Sequence, residues 1–178
     1  MAYKYYALQI LQDLARIHLA DGDSTILTDI DLKRLSFVYN HSVLEDKGER
    51  YRKALDILAA KNASSPTATD VAFALATYWH SLAYKYASTP TDENKWVSKK
   101  AYNICESAIK KFPDSEGAQN CRSLQAQIKT KSINLVMEKI NIPGKPFLSL
   151  VNFKNLDTLY FKIFKVNRTK MNEVKKEY

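Results

Sequence analysis

The amino-acid sequence predicts a mainly α fold: a stack of antiparallel helical hairpins followed by a short, incomplete antiparallel β segment. Only four glycines and five prolines occur in 178 residues, a scarcity that favours long helices over many turns. Over about the first 130 residues, apolar side chains recur at steps of three and four, the spacing of one helix face. Beyond them the step becomes two, the spacing of a strand. We therefore expect a helical domain over residues 1–131 and the initial strands of a truncated β-sandwich over residues 132–178.

Six helices are expected in the first part, with boundaries set by capping residues and breakers. The second helix is expected to begin at Thr28 or Asp29, because either side chain can cap its first turn. A Pro-Asp-Ser sequence after Phe112 ends the fifth helix and caps the sixth. The expected bounds of the first five are Tyr5–Leu19, Asp29–Asn40, Lys47–Lys61, Thr69–Tyr86 and Asn94–Lys111.

A repeat motif lies between Trp79 and Pro113. Residues 79–86 fit the pattern W-x2-L-G-x2-Y with Ala83 in place of glycine, and residues 101–113 fit its second half with Cys105 in the aromatic position. Small side chains at 83 and 101 let two helices approach closely. We therefore predict a tetratricopeptide-like hairpin stack, with a polar insert between the two helices that is longer than the usual turn. The expected repeat core is Trp79, Leu82, Ala83, Tyr86, Ala101, Ile104, Ala108 and Pro113.

Three strands are expected after residue 132. They are Asn134–Ile140, Phe147–Phe153 and Leu159–Val166, and a turn rich in proline and glycine separates the first two. All three carry apolar side chains on both faces, so each face needs cover. The charged residues that remain at 169–178 supply little of it. The sequence therefore predicts the start of a larger sandwich.

The charge of the chain is concentrated near its C-terminus. Of the net charge of +8, residues 129–178 hold +7, with eleven Lys and Arg against four Asp and Glu. Between Lys154 and Arg168, basic and aromatic residues alternate as they do on platforms that bind single-stranded nucleic acid. Phe161 and Phe164 fall on opposite faces of a strand, however, and cannot form one platform. We therefore favour a half-buried strand with lysines at its edge over a surface that binds nucleic acid.

No catalytic or cofactor signature is present. The carboxylates at Glu45-Asp46 and Asp92-Glu93 have no positioned partner in the sequence, which acid–base chemistry would need. The three histidines and two cysteines lack the clustered spacing of a zinc site. No apolar run is long enough to span a membrane. We expect a protein that is not an enzyme and that holds no metal or cofactor.

Cys105 and Cys121 have two interpretations. Both fall on inward-facing stripes, as buried free thiols commonly do. Both also lie eight residues from Pro113, so an antiparallel hairpin that turns there would place them at the same level, and a disulfide is the alternative. A bridge would indicate an oxidising compartment.

Several segments, in their order, resemble one family. They are Asp31–Asn40, Phe112–Cys121, Ile140–Asn155 (INIPGKPFLSLVNFKN) and Leu159–Ile163. They are similar to the N-terminal region of alpha-2-macroglobulin-family proteins of Bacteroides-type bacteria, where a helical repeat precedes the first macroglobulin β-sandwich. The family's thioester motif, Cys-x-Glu-Gln, is matched at neither cysteine.

This resemblance implies a non-catalytic scaffold or interaction module of a large endopeptidase-inhibitor-like protein at the periplasm or cell surface. Its partners would be protein: downstream domains of the same chain, and proteases. Two other functions stay open. One is a free-standing tetratricopeptide-type adaptor that binds a peptide in its groove. The other is nucleic-acid binding through the basic C-terminal segment.

Overall fold

The structure is a computed structural model, and it describes residues 2–84, 94–138, 140–142 and 144–162. These residues form six helices and one two-stranded antiparallel sheet. The chain divides into two compact units, residues 1–129 and residues 130–178. The predicted mainly α fold with a short antiparallel β segment is confirmed. The elements are α1 (Ala2–Asp21), α2 (Ser24–His41), α3 (Lys47–Lys61), α4 (Ala68–Ser81), α5 (Val97–Lys111), α6 (Glu116–Lys129), β1 (Ser132–Met137) and β2 (Ser149–Lys154).

The start of α2 differs from the prediction. Asp23 is the N-cap, and its carboxylate accepts hydrogen bonds from the backbone N–H of Thr25 at 2.8 Å and of Ile26 at 3.4 Å. Gly22 precedes it with a φ of +71°, a left-handed conformation that glycine adopts without strain. Thr28, an expected cap, is instead buried inside the helix. The predicted N-cap at Thr28 or Asp29 was wrong, because Asp23, which lies earlier in the chain, already caps the free backbone N–H groups of the first turn.

A buried polar network fixes α2 against the loop between α3 and α4. The Thr28 hydroxyl donates to the Asn62 side-chain oxygen at 2.9 Å, and the Asn62 amide donates to the Leu58 carbonyl at 2.9 Å. Because Asn62 and Thr28 are only 5% and 4% exposed, these bonds satisfy groups that water does not reach. The network sets the position of α2 beside the helices that follow.

One buried cluster of the helical unit lies between α4, α5 and α6, and another, with Leu55, Leu58 and Val71, lies between α3 and α4. Helix α4 packs on α3, α5 and α6, so it is covered on several sides. At its beginning it approaches α6 so closely that a Cβ at Gly117 would lie 2.5 Å from the Thr69 carbonyl carbon. The buried residues of the cluster between α4, α5 and α6 are Ala76, Ala101, Cys105, Ala108, Cys121, Leu124 and Ile128.

Helix α1 extends beyond its expected bounds at both ends, and two helix ends beside the repeat motif also differ from the prediction. Helix α4 ends at Ser81 rather than continuing to residue 86, and α5 begins at Val97 rather than Asn94. The repeat motif indicates which residues of the two helices face one another, but it contains no residue that ends a helix. The predicted helices α4 and α5 therefore extended too far into the segment between them. Tyr86 lies outside the described residues.

The sheet is small and open to solvent on both faces. Strands β1 and β2 are antiparallel, with Ser132 opposite Lys154 and Met137 opposite Ser149. Asn155 ends β2 in a left-handed conformation with a φ of 55°. The third strand expected at Leu159–Val166 is absent from residues 159–162, and the rest of it lies outside the described residues. Alternation identifies a segment that can pair, but a strand forms only where a neighbouring strand is in reach.

Candidate peptide-binding groove

A groove of about 870 Å³ runs along the first helices of successive hairpins, α2 and α4, and on to α6. In a tetratricopeptide-like stack the first helix of each hairpin faces the same side, so their side chains share one surface. Tyr51 of α3 also reaches into it. The wall residues are Thr25, Thr28, Asp29, Leu32, Lys33, Ser36, Phe37, Tyr39, Asn40, His41, Tyr51, Thr67, Asp70, Phe73, Ala74, Thr77, Tyr78, Ser81, Glu116 and Asn120.

One end of the groove is aromatic. The rings of Tyr39 and Tyr51 stack with centroids 4.5 Å apart, and the ring of Tyr78 meets them edge-on at 6.0 and 5.8 Å. Edge-to-face and stacked arrangements at these separations stabilise ring pairs beyond the burial of their area. Lys47 places its ammonium 5.7 Å from the Tyr39 centroid. The three rings, one from each of three helices, form an aromatic platform.

The hydroxyls of Tyr51 and Tyr78 stay protonated at neutral pH. Burial raises the pKa of Tyr51, and the neighbouring Tyr39 adds to the effect. Burial likewise raises the pKa of Tyr78, again with a contribution from Tyr39. Protonated phenols donate and accept hydrogen bonds, so this end of the groove combines ring faces with neutral polar groups.

The other end of the groove is acidic. Asp70 stands in the first turn of α4 and Glu116 in the first turn of α6, where carboxylates complement the helix dipoles. Burial raises the pKa of Asp70, and the charges of Glu116 and Asp29 raise it further. Asp29 pairs with Lys33 at 2.6 Å, whereas in the described residues no lysine or arginine forms an ion pair with Asp70 or Glu116. This end therefore favours a cation.

The predicted repeat core lies elsewhere, mostly in the seam between α4 and α5. Ala101 and Ala108 are buried, and Trp79 and Ile104 pack half-buried against the same cluster. Leu82 and Ala83 are half-buried just beyond the end of α4.

Pro113 is an exception, because it is exposed in the turn rather than part of the core. Its carbonyl accepts a hydrogen bond from Arg122 at 2.7 Å. A proline that ends a helix lies where the chain reverses direction at the surface, so the motif position does not imply burial.

The structure brings the two cysteines together. Cys105 and Cys121 are fully buried free thiols, and their side chains are hydrogen-bonded to each other. That bond raises the pKa of Cys121, and burial raises it further. The same bond lowers the pKa of Cys105. A disulfide between them stays a prediction.

Sequence reasoning missed the groove residues. The three tyrosines of the platform come from positions 39, 51 and 78, and no local spacing links them. Asp70 and Glu116 carry a weak signal, since each is the acidic residue in the first turn of its helix. The three tyrosines come together only in the tertiary structure, where helices α2, α3 and α4 pack side by side.

The described part of the chain does not bring together an acid–base pair, a metal site or a nucleic-acid platform from the other residues considered in the sequence. Asp46 pairs with Arg50 at 2.7 Å on an exposed helix start, and no three potential metal ligands converge among the described residues. In the basic segment, Tyr160 and Phe161 are exposed, while Phe164, Lys165 and Arg168 lie outside the described residues. None of the described helices has the length and hydropathy needed to cross a membrane.

Comparisons of the chain with models of protein families, with curated proteins and with solved structures found no match. Conclusions about function therefore depend on the residues and their geometry, together with the family resemblance of the sequence.

Proposed function

We propose that this chain is a non-catalytic scaffold and interaction module of a larger alpha-2-macroglobulin-like protein. The observation that carries the proposal is the sheet, which leaves large apolar side chains open on both faces. Leu135 and Val136 are 46% and 50% exposed although they point to opposite sides of β1. Leu150 and Phe153 of β2 are likewise 60% and 58% exposed.

An isolated two-stranded hairpin is at best marginally stable in water. Burying apolar surface stabilises by about 25 cal/mol per Å², so further strands and a second sheet would stabilise β1 and β2 by covering them. A β-sandwich covers the inner face of each sheet with another sheet. The sequence resemblance supplies the specific form of that sandwich, a macroglobulin domain, and with it endopeptidase inhibition as the role of the whole protein and the periplasm or cell surface as its location.

The test is the size and location of the native polypeptide. An antibody raised against the helical unit would be used on fractionated cells of the source, followed by mass spectrometry of the protein it captures. We expect a product much larger than 20.4 kDa in the periplasmic or envelope fraction, with peptides from additional β domains. A native product of 20.4 kDa would overturn the proposal.

A second candidate function is that of a peptide-binding adaptor, and the groove favours it. Its aromatic platform suits an apolar or aromatic side chain, and its acidic end suits an Arg or Lys several residues away. Extended peptides recognised in this way use side-chain pockets for specificity.

An array of peptides that combine one basic and one aromatic residue at varied spacing would be probed with the full chain. We expect binding that weakens in Asp70→Asn/Glu116→Gln and persists in the control Asp13→Asn/Asp114→Asn, whose carboxylates lie outside the groove. Equal binding by both double variants would exclude the groove as the site.

A further inference from the structure

A second groove, of about 640 Å³, lies on another side of the helical unit between α3, α4 and α5. Its floor is made by small apolar side chains, among them Ala68 and Ala72 of α4 and Ala108 of α5. Small residues leave a trough between helices into which another element can fit closely. The residues that line it are Ala59, Ala68, Thr69, Ala72, Leu75, Trp96, Lys99, Lys100, Asn103, Ile104, Ser107, Ala108, Lys111 and Phe112.

The rim of this groove is basic. Lys99, Lys100 and Lys111 line it, and no acidic residue of the described part of the chain does. Their described partners are uncharged: Lys100 lies 3.5 Å from the centroid of Trp79, Lys99 lies 5.9 Å from that of Trp96, and Lys111 donates to the Ala63 carbonyl.

Some lysines elsewhere on the helical unit are paired with a carboxylate, whereas Lys47 and Lys129, like two of the rim lysines, lie over aromatic rings. Lys33, Lys53 and Lys110 each pair with a carboxylate one turn away, at 2.6, 2.6 and 3.6 Å. Among the described residues, no carboxylate pairs with the rim lysines, which hold positive charge beside an apolar trough. An occupant with an apolar face and acidic flanks would match both features.

The shape of the groove selects a helix as the occupant. Lining positions recur along the whole of α5, from Trp96 to Lys111, at steps of three and four, a length of about 22 Å at 1.5 Å per residue. The walls are helices whose backbone groups bond within themselves, so an extended strand would find few partners for its N–H and C=O groups. A helix satisfies its own backbone and can lie in such a trough.

Trp96 at the groove edge supports this assignment. It is 65% exposed, and an exposed tryptophan beside a groove is the type of residue that anchors a partner. Two lysines lie over its ring, Lys95 at 5.5 Å and Lys99 at 5.9 Å, which orients the indole at the mouth of the trough.

We propose that the groove between α3, α4 and α5 binds an amphipathic helix of a partner protein, one whose apolar stripe is flanked by Asp and Glu. The inference is independent of the groove along α2, α4 and α6, because Lys99, Lys111 and Trp96 do not line that groove. It also does not depend on the size of the native protein.

The experiment titrates the full chain with a fluorescein-labelled, 18-residue designed helix that carries Leu and Ala on one face and Glu along both edges of that face. A second peptide has Lys at every Glu position, and sodium laurate represents a single apolar tail with one carboxylate. Anisotropy reports peptide binding, and Trp fluorescence reports an occupied groove.

We expect the acidic peptide to bind with a Kd below roughly 100 µM, more weakly as salt rises. Lys99→Glu/Lys111→Glu should weaken it about tenfold. The control Lys4→Glu/Lys145→Glu makes the same change in net charge away from the groove and should stay within about twofold. Trp96→Ala provides a second variant, since its exposed side chain can be removed without disturbing the fold, and it should also weaken binding.

The proposal is overturned if the acidic peptide fails to bind, if the basic peptide binds equally well, or if Lys99→Glu/Lys111→Glu and Trp96→Ala both bind as the unmodified chain does. Binding of laurate without binding of the acidic peptide would assign the groove to a fatty carboxylate instead. Far-ultraviolet circular dichroism of each variant confirms that the helices are intact.

Discussion

Replacing Gly117 with alanine tests the closest approach in the helical unit. Gly117 is the second residue of α6, and a Cβ there would lie 2.5 Å from the Thr69 carbonyl carbon and within van der Waals distance of the Asp70 amide nitrogen. Ordinary contact begins near 3.4 Å, so the start of α4 would have to move by about 0.9 Å. The Thr69 hydroxyl oxygen is also in the way, but because the other two nearest atoms are backbone, a rotamer change of Thr69 cannot by itself relieve the contact.

The expected cost can be estimated from three contributions. Overpacking costs about 1–3 kcal/mol. Separating the helix starts weakens the 2.9 Å hydrogen bond between the hydroxyls of Thr69 and Ser115, which is worth about 1 kcal/mol. Alanine returns up to about 1 kcal/mol through its higher helix propensity. Gly117→Ala should therefore lower the free energy of unfolding by about 1–3 kcal/mol, measured by urea titration with circular dichroism at 222 nm.

Gly48→Ala is the matched control, because Gly48 is likewise the second residue of its helix. A Cβ at Gly48 would meet only the hydroxyl end of Tyr78, at 3.2 Å, and that side chain can yield. The variant should be between neutral and about 1 kcal/mol more stable. If both variants had the same stability, or if Gly117→Ala matched the unmodified protein, the close approach of α4 and α6 would be refuted.

Three further predictions concern the core, the acidic end and the thiols. Trp79→Ala should lower the free energy of unfolding by about 3 kcal/mol, because the ring packs on the core cluster and under Lys100. In the same titration, Trp96→Ala should change it by no more than about 0.5 kcal/mol. Equal losses in the two variants would show that the repeat register is wrong. The pKa of Asp70 is raised above its usual 3.8, so folding disfavours the ionised carboxylate, and the stability that Asp70 contributes is lost as the pH rises through that pKa. Asp70→Asn should therefore be more stable than the unmodified protein at pH 7 and not at pH 3. The reverse order would contradict this prediction. Mild oxidation should form a disulfide between Cys105 and Cys121, which mass spectrometry would detect as a loss of two hydrogens. The disulfide should stabilise the helical unit by roughly 3 kcal/mol. An oxidised protein of unchanged or lower stability would show that the bridge strains the packing of α5 and α6.

Much of the helical architecture was predictable because its signals are local. Helix α3 has the predicted bounds, since a regular apolar stripe ends at a polar loop on both sides. The inward face of α6 was also found, as Ala118, Cys121, Leu124 and Ile128 are all buried. The start of α2 was placed too late, because the nearest cap to the apolar stripe was chosen and Asp23 competes one turn earlier.

The grooves could not be predicted, since each is made by side chains from helices that are distant in sequence. Tyr39, Tyr51 and Tyr78 meet because α2 lies beside α3 and α4, a placement supported by the polar network around Asn62 and by apolar packing of α2. The rim lysines follow the helical period of α5, but nothing in that period says that a trough of alanines lies beside them.

By itself, the sequence determined the fold class, since the change from a period of 3.6 to a period of 2 is a property of adjacent residues. It also determined that Cys105 and Cys121 lie on inward faces. Only the tertiary structure decided that their thiols meet, that Gly117 allows two helix starts to touch, and that apolar strand residues such as Leu150 stay exposed. The physical reason is that burial and proximity depend on which surfaces are brought together, whereas periodicity fixes only which side chains share a face.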